Sequence, residues 1–274
     1  MATLFVVATP IGNLEDTTPR ALRVLAEARL VLAEDTRQTR KLLDHFEVSA
    51  KPVSLHGHNE ARRVDTVLEV LEAGGDVALV SDAGTPLVSD PGERVVRAAL
   101  DAGHTVSPVP GASAPVAALV ASGLPTLPFL FAGFPPRKTK ARAAFFADLA
   151  PRPETLVFFE SPRRLADTLA AMLDAFGPRP ACVARELTKL HETITRAPLD
   201  ELVRQFEEPP RGEVTLVVAG RPGPAPAASE AVLAAALRAR EAAGGSPSEI
   251  ARDVARATGL PRAEIYARLL ERGD

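Results

Sequence analysis

Short apolar runs alternate with helical patterns through the first half of the chain, and that order admits few folds. Leu4 to Ala8, Leu30 to Ala33, Pro52 to Leu55, Val77 to Val80 and residues 105 to 109 read as strands. Between them a helix opens at Thr18-Pro19, where threonine caps and proline suits the first turn. Further helices are predicted over Thr36 to Phe46, Glu60 to Ala73 and residues 93 to 102, with Val64, Val67, Leu68 and Leu71 on one face. Strands that take turns with helices predict an α/β fold around a parallel sheet.

One connection stands out. Val77 to Val80 run into SDAGTPLVSDPG, residues 81 to 92, before a helical pattern starts with Glu93, Val95 and Val96. Twelve residues is long for a strand-to-helix loop, which usually has about two to six. The segment lies at the carboxyl end of a strand, where ligands bind in open α/β sheets. Its glycines and prolines allow close backbone approach, while serine, threonine and aspartate supply hydrogen-bonding groups. A ligand-binding loop is the expectation.

Composition narrows the class. The 274 residues suit one or two domains, and 46% hydrophobic with 24% charged residues is globular. A net charge of −3 weighs against a uniformly basic nucleic-acid coat but leaves room for a local basic patch. Cys182 is the one cysteine, which excludes an internal disulfide and a cysteine zinc cluster. Among Ala181, Val183 and Ala184 it reads as a small core residue, and its solitude fits a reducing compartment. MATLFVVATP reads as a first strand rather than a secretory signal, and no run approaches the roughly 18 apolar residues of a membrane span. A cytoplasmic protein without a membrane partner is predicted.

The stretch SGLPTLPFLFAGFPPRKTKAR reads as the junction of two lobes, with Phe129 to Ala132 already in the second. Strands at Thr155 to Phe159, Ala181 to Ala184 and Val214 to Ala219 alternate there with helices at Pro162 to Phe176 and Leu199 to Phe206. The predicted organisation is an N-terminal α/β lobe over 1–123, a C-terminal α/β lobe over 124–220, a proline- and alanine-rich linker over 221–229 and a helical tail over 230–274. Two short helices are expected in the tail, around Glu249 to Ala257 and Arg262 to Leu270, with arginines and acids in balance.

No G-x-G-x-x-G follows the first strand and no G-x-x-x-x-G-K-[ST] occurs, which counts against a dinucleotide site and a P-loop. LHGHNE places His56, His58 and Glu60 two residues apart, without a supporting partner for a metal, so hydrogen bonding or turn chemistry is expected there and no metal site is predicted. EDTRQTRK (Glu34, Asp35, Arg37, Arg40, Lys41) and ARELTKLHE (Arg185, Glu186, Lys189, His191, Glu192) are salt-bridge clusters or cleft residues, and both follow a predicted strand.

Taken in order, TPIGNLED, AEDTRQTRKLL, HGHNE, VSDAGTPLVSDPG, PVPGASAP, FESPRR and ARELTKLHE resemble the ribosomal small-subunit RNA methyltransferase I family, the 2′-O-ribose methyltransferases of the tetrapyrrole methylase superfamily. The resemblance covers about residues 4 to 220. It implies two α/β lobes with S-adenosylmethionine in the cleft between them, a homodimer, and as acceptor a cytidine of 16S ribosomal RNA in the 30S particle. Where the superfamily commonly has Gly-Asp-Pro this chain has Gly84-Thr85-Pro86, which passes the aspartate's role to Asp82. The cofactor contacts it implies are Pro10, Gly84, Thr85, Val88, Ser113 and Ala114 from the first lobe, and Phe159 or Glu160, Glu186 and Thr215 from the second.

A ribose hydroxyl is a weak nucleophile, so a nearby base or cation is expected, with Lys189, His191, Glu60 and Asp35 as candidates. Arg37, Arg40, Arg163, Arg164 and the PPRKTKAR run suit a phosphate-bearing acceptor. The alternatives are a methyltransferase for a tetrapyrrole or other small acceptor, and a non-catalytic RNA-binding assembly factor on the same fold.

Overall fold

A computed structural model describes residues 2–57, 59–222, 237–238, 244, 246–258, 262, 265–266 and 269. The chain divides into two compact units, Met1–Gly220 and Arg221–Asp274.

The first unit opens with β1 (Thr3–Val7), α1 (Pro19–Glu27), β2 (Leu30–Ala33), α2 (Thr36–His45), β3 (Pro52–Ser54), α3 (Glu60–Glu72), β4 (Val77–Val80), α4 (Glu93–Asp101) and β5 (Thr105–Val109). The strands form one sheet in the order β3-β2-β4-β1-β5, every pair parallel. Side chains alternate across it as a strand requires. Leu4, Leu32, Val77 and Leu79 pack with Val67 and Leu71 of α3 and Val95 and Ala99 of α4. Val7, Val31, Ala33, Ala78 and Val80 pack on the other face with Val24 and Leu25 of α1 and Leu43 of α2. Helix starts follow local chemistry: Thr18 accepts a hydrogen bond from Ala21 N ahead of Pro19, and Asp35 caps α2 through Arg37 N.

Helix α5 (Ala114–Ser122) then leads to β6 (Phe129–Phe131), α6 (Thr139–Leu149), β7 (Thr155–Glu160), α7 (Leu165–Phe176), β8 (Pro180–Arg185), β9 (Thr193–Pro198), α8 (Leu199–Gln205) and β10 (Val214–Val218). The second sheet has the order β6-β7-β10-β8-β9. β6 is parallel to β7, whereas β10 inserts between β7 and β8 antiparallel to both, and β9 is antiparallel to β8. One face packs Leu156, Phe158, Val183 and Leu216 against Phe146 of α6, Leu169 and Met172 of α7 and Leu202 of α8. The other packs Val157, Cys182, Ala184 and Val217 against Ala118 and Leu119 of α5 and Ile11 from the loop after β1. This core joins the two sheets into one unit.

The α/β class with two lobes is as expected. Two elements escaped the sequence reading. The basic stretch after Pro136 continues into α6, whose Arg142 is buried with Phe146 and Leu149. TITRAP forms β9, where threonine and arginine suit a half-exposed edge strand. In the second unit the described helix α9 (Pro247–Thr258) buries Ile250, Ala251 and Val254 with Leu237 and Ile265. The expected linker beyond residue 222 and most of the second tail helix lie outside the described residues. No described helix is long and apolar enough to cross a membrane.

Candidate active site

Helices α1 and α2 lie on one face of the parallel sheet and α3 and α4 on the other, so the loops leaving the adjacent strands β1 and β4 diverge. That is the switch point where ligands bind such sheets. The two loops are stitched at their base: Thr9 N donates to Gly84 O at 2.9 Å and Gly84 N to Thr9 O at 3.0 Å. Gly84 holds φ at 80°, a conformation that side chains rarely adopt. Beyond it Leu87 and Ser89 also take positive φ, 73° and 76°, so the loop is held in a tightly constrained path.

Neighbouring segments fix that path. Asp82 Oδ1 accepts Asp35 N at 2.8 Å, and Thr85 Oγ1 donates to Ala112 O at 3.2 Å, bringing in the turn before α5. At the exit, buried Glu60 accepts the N–H groups of Gly92 and Arg94 at 3.2 and 2.8 Å, capping α4 in place of the missing side chain of Gly92.

The loop lines a cavity of about 400 Å³. Glu34, Asp82, Gly84, Thr85, Val88, Asp90, Ser113 and Ala114 line it from the first lobe, and Phe134, Phe159, Glu160, Glu213 and Thr215 from the second. Its size is that of a small-molecule site. The two phenylalanine rings lie 5.3 Å apart and make an apolar wall. Glu34, Asp82 and Asp90 of the first lobe line the same cavity with their carboxylates. Burial pushes the Glu34 carboxyl up, and the nearby charges of Asp90 and Asp82 push it further. Asp90 is likewise raised, first by burial and then by Asp82. Crowded acids of this kind favour a bound cation.

A second cavity of about 430 Å³ adjoins the first, lined among others by Pro10, Gly12, Gln38, Thr39, Lys41, Ser81 and Lys189. Ile11, Asp82, Ala83 and Glu213 line both. Lys189 Nζ lies 2.8 Å from Glu186 Oε1 and 2.7 Å from Glu213 Oε2. Burial alone lowers its pKa, but the two carboxylates outweigh that and the net shift is upward. Lys189 is therefore a cation held in place, and Glu186 is lowered in turn by Lys189.

Of the residues singled out from sequence, Asp82, Gly84, Thr85, Val88, Ser113, Ala114, Phe159, Glu160 and Thr215 come together around the first cavity. Pro10 and Lys189 line the second. Glu186 stands behind Lys189 as its counter-ion. The Glu160 carboxylate is already committed, accepting Ser161 N at 2.7 Å and Thr168 Oγ1 at 2.6 Å beside the Arg164 guanidinium at 3.2 Å. Glu60 serves α4, His191 is exposed with its carbonyl taken by Arg185, and Asp35 is paired with Arg37, which brings its carboxyl down to about 2. Among the arginines, Arg37 is 86% exposed despite that pairing, Arg40 and Arg163 are exposed, and Arg164 is partly buried on Glu160 and Pro135 O. His58 lies outside the described residues, and among those described no cluster of His, Cys, Asp or Glu is arranged to hold a metal ion.

Asp90, Phe134 and Glu213 were not singled out from the sequence. Asp90 repeats the Ser-Asp of Asp82 within one loop, but Phe134 and Glu213 carry no local signal, since only the pairing of β10 with β7 brings residue 213 to the cleft.

A parallel sheet with a long switch-point loop, facing a mixed sheet across an acidic and aromatic cavity, has the architecture of a tetrapyrrole methylase, and residues 3–203 match the family model of the Tetrapyrrole (Corrin/Porphyrin) Methylases. A solved structure of similar fold is the uroporphyrin-III C-methyltransferase of Thermus thermophilus complexed with S-adenyl homocysteine, 22% identical with a TM-score of 0.54, covering 79% of this chain and 97% of that one. That likeness speaks to fold alone. The ribosomal RNA small subunit methyltransferase I of Micromonospora olivasterospora is 47% identical over 96% of this chain and 85% of its own length. The protein of the same name from Synechocystis sp. is 44% identical over 99% and 98%. The chain belongs to the ribosomal RNA small subunit methyltransferase I family.

Proposed function

We propose that the protein transfers a methyl group from S-adenosylmethionine to the ribose 2′-oxygen of a cytidine in 16S ribosomal RNA. The observation that carries this reading is the identity of 44–47% along nearly the whole chain to proteins named for small-subunit ribosomal RNA methylation. The first cavity fits the donor: Phe134 and Phe159 offer an apolar wall to an adenine, and Glu34, Asp82 and Asp90 offer negative charge to a cation. When bound, S-adenosylmethionine supplies a methyl group activated by the sulfonium. The residues of the chain have to align an oxygen with it in a dry cleft. Gly84 and Thr85 bring backbone close, and Val88 and Ala114 exclude water.

The same reading gives the 30S particle as the substrate, the cytoplasm as the location and a homodimer as the working form. Val116 and Val120, one turn apart on α5, are exposed and offer a second copy an apolar surface.

The test supplies labelled S-adenosylmethionine with 30S particles lacking the modification, naked ribosomal RNA, cytidine and a precorrin-type acceptor. Label is expected in the particle at one cytidine, with the adjacent phosphodiester resistant to alkali because the methylated oxygen no longer attacks phosphorus. Alkali-sensitive product would place the methyl on a base. Transfer to the tetrapyrrole alone, or to nothing, would replace this reading with one of its rivals.

A further inference from the structure

Resting on that reading, we propose that the second cavity receives the acceptor nucleoside and that Glu213 takes the proton from its hydroxyl as the methyl group is transferred. Donor and acceptor must meet in line, with the reacting atoms about 3 to 3.5 Å apart. If the donor fills the first cavity, the oxygen has to arrive at the wall the two cavities share. That wall consists of Ile11, Asp82, Ala83 and Glu213, and two of these are carboxylates.

Asp82 Oδ1 is occupied by the Asp35 N–H at 2.8 Å. Glu213 meets Lys189 through one oxygen at 2.7 Å and is otherwise 73% exposed toward the cleft and solvent. Lys189 itself is kept charged by its two glutamates, so it positions Glu213 instead of taking a proton.

The lining of the second cavity points to a polar, hydrogen-bonding occupant. Thr39 is 3% exposed, and its Oγ1 has no hydrogen-bond partner among the described residues. Gln38 and Lys41 stand beside it on α2. A nucleoside edge offers donors and acceptors to Gln38 and Lys41.

In the step itself the O–C bond forms as the C–S bond breaks. The pair from C–S stays on sulfur, leaving a neutral thioether, and the hydroxyl proton passes to the Glu213 carboxylate and then to water.

The experiment compares wild type with Glu213→Gln and Gln38→Trp, using 30S particles that the wild type methylates. Wild type without transfer would sink the underlying reading, whereas the variants address this proposal alone. At saturating cofactor, Glu213→Gln should lower the single-turnover rate by about 10²-fold or more. Calorimetric affinity for S-adenosylhomocysteine and filter-binding affinity for the particle should stay within about threefold of wild type, roughly 0.7 kcal/mol. Gln38→Trp, which fills the second cavity from an exposed position, should weaken particle binding by about tenfold and leave S-adenosylhomocysteine binding unchanged. A Glu213→Gln rate near wild type, a parallel loss of S-adenosylhomocysteine binding, or full particle affinity in Gln38→Trp would each overturn the proposal.

Discussion

The Asp82 carboxylate accepts the backbone N–H of Asp35 at 2.8 Å across 47 residues of sequence. Asp35 is the cap of α2, so one bond ties the long loop after β4 to the start of the helix that lines the second cavity. The loop and the helix are set by each other.

Asp82→Ala should therefore weaken S-adenosylhomocysteine binding by about 1 kcal/mol, near fivefold, because the missing bond is partly replaced by water at this exposed position. Thr85→Arg should abolish it by filling the cavity beside Gly84. Calorimetry on both variants checks this, and unchanged affinity in both would remove the loop from the cofactor site.

Glu34 and Asp90 give a pH dependence of defined sign. Their carboxyls are raised in the folded protein, first by burial and then by neighbouring acids. A group raised on folding contributes stability that is present below its unfolded pKa and lost as pH rises through the folded value. Glu34→Gln with Asp90→Asn should raise the melting temperature of the free protein at pH 7 relative to wild type, and the gain should vanish near pH 4. The same variant should bind S-adenosylmethionine, which carries the sulfonium charge, more weakly relative to S-adenosylhomocysteine. Melting curves and competition binding at the two pH values test both halves.

Gly12 lies against Lys189. A Cβ there would run into Lys189 Cγ, Thr188 Oγ1 and the Leu187 carbonyl, while Asn13 N already bonds Thr188 Oγ1 at 3.0 Å. Gly12→Ala should cost about 1 to 3 kcal/mol in denaturant unfolding, since backbone has to shift to make room. An unchanged unfolding midpoint would show that the neighbouring loop yields freely.

Arg37, Arg40 and Arg163 are exposed, and replacing all three by alanine should lower RNA affinity at low salt while sparing S-adenosylhomocysteine binding. The slope of log affinity against log salt should become shallower by about 0.7 to 0.9 for each phosphate that an arginine no longer neutralises. Identical slopes would leave these side chains as surface charge only.

The parallel sheet was legible because it is local: each apolar run is followed by its own helix, and Val77–Val80 with the polar loop after it already mark the ligand end. Much of the cavity was legible for the same reason, since Asp82, Gly84, Thr85 and Val88 share one loop. The second sheet was less so. Strand direction there depends on pairing over long separations, and β9 with its threonines and Arg196 has none of the apolar density of a buried strand. Glu213 was hidden similarly. Its importance comes from Lys189, which lies 24 residues earlier and reaches it only across the paired ends of β8 and β10.

The placement of β10 also sets an order of assembly. Every strand of the first sheet has been synthesised once Val109 is made, so that sheet is complete in sequence well before synthesis ends. The second sheet receives its middle strand last: until Val214–Val218 emerge, β7 and β8 lack the partner between them, and each presents an unpaired edge. Glu213, Val214 and Thr215 travel with that strand, so the ligand cleft is finished by the same event that seals the gap. A nascent chain halted before residue 214 thus combines a finished first sheet with an aggregation-prone second half, and it has no binding site to rescue it by ligand.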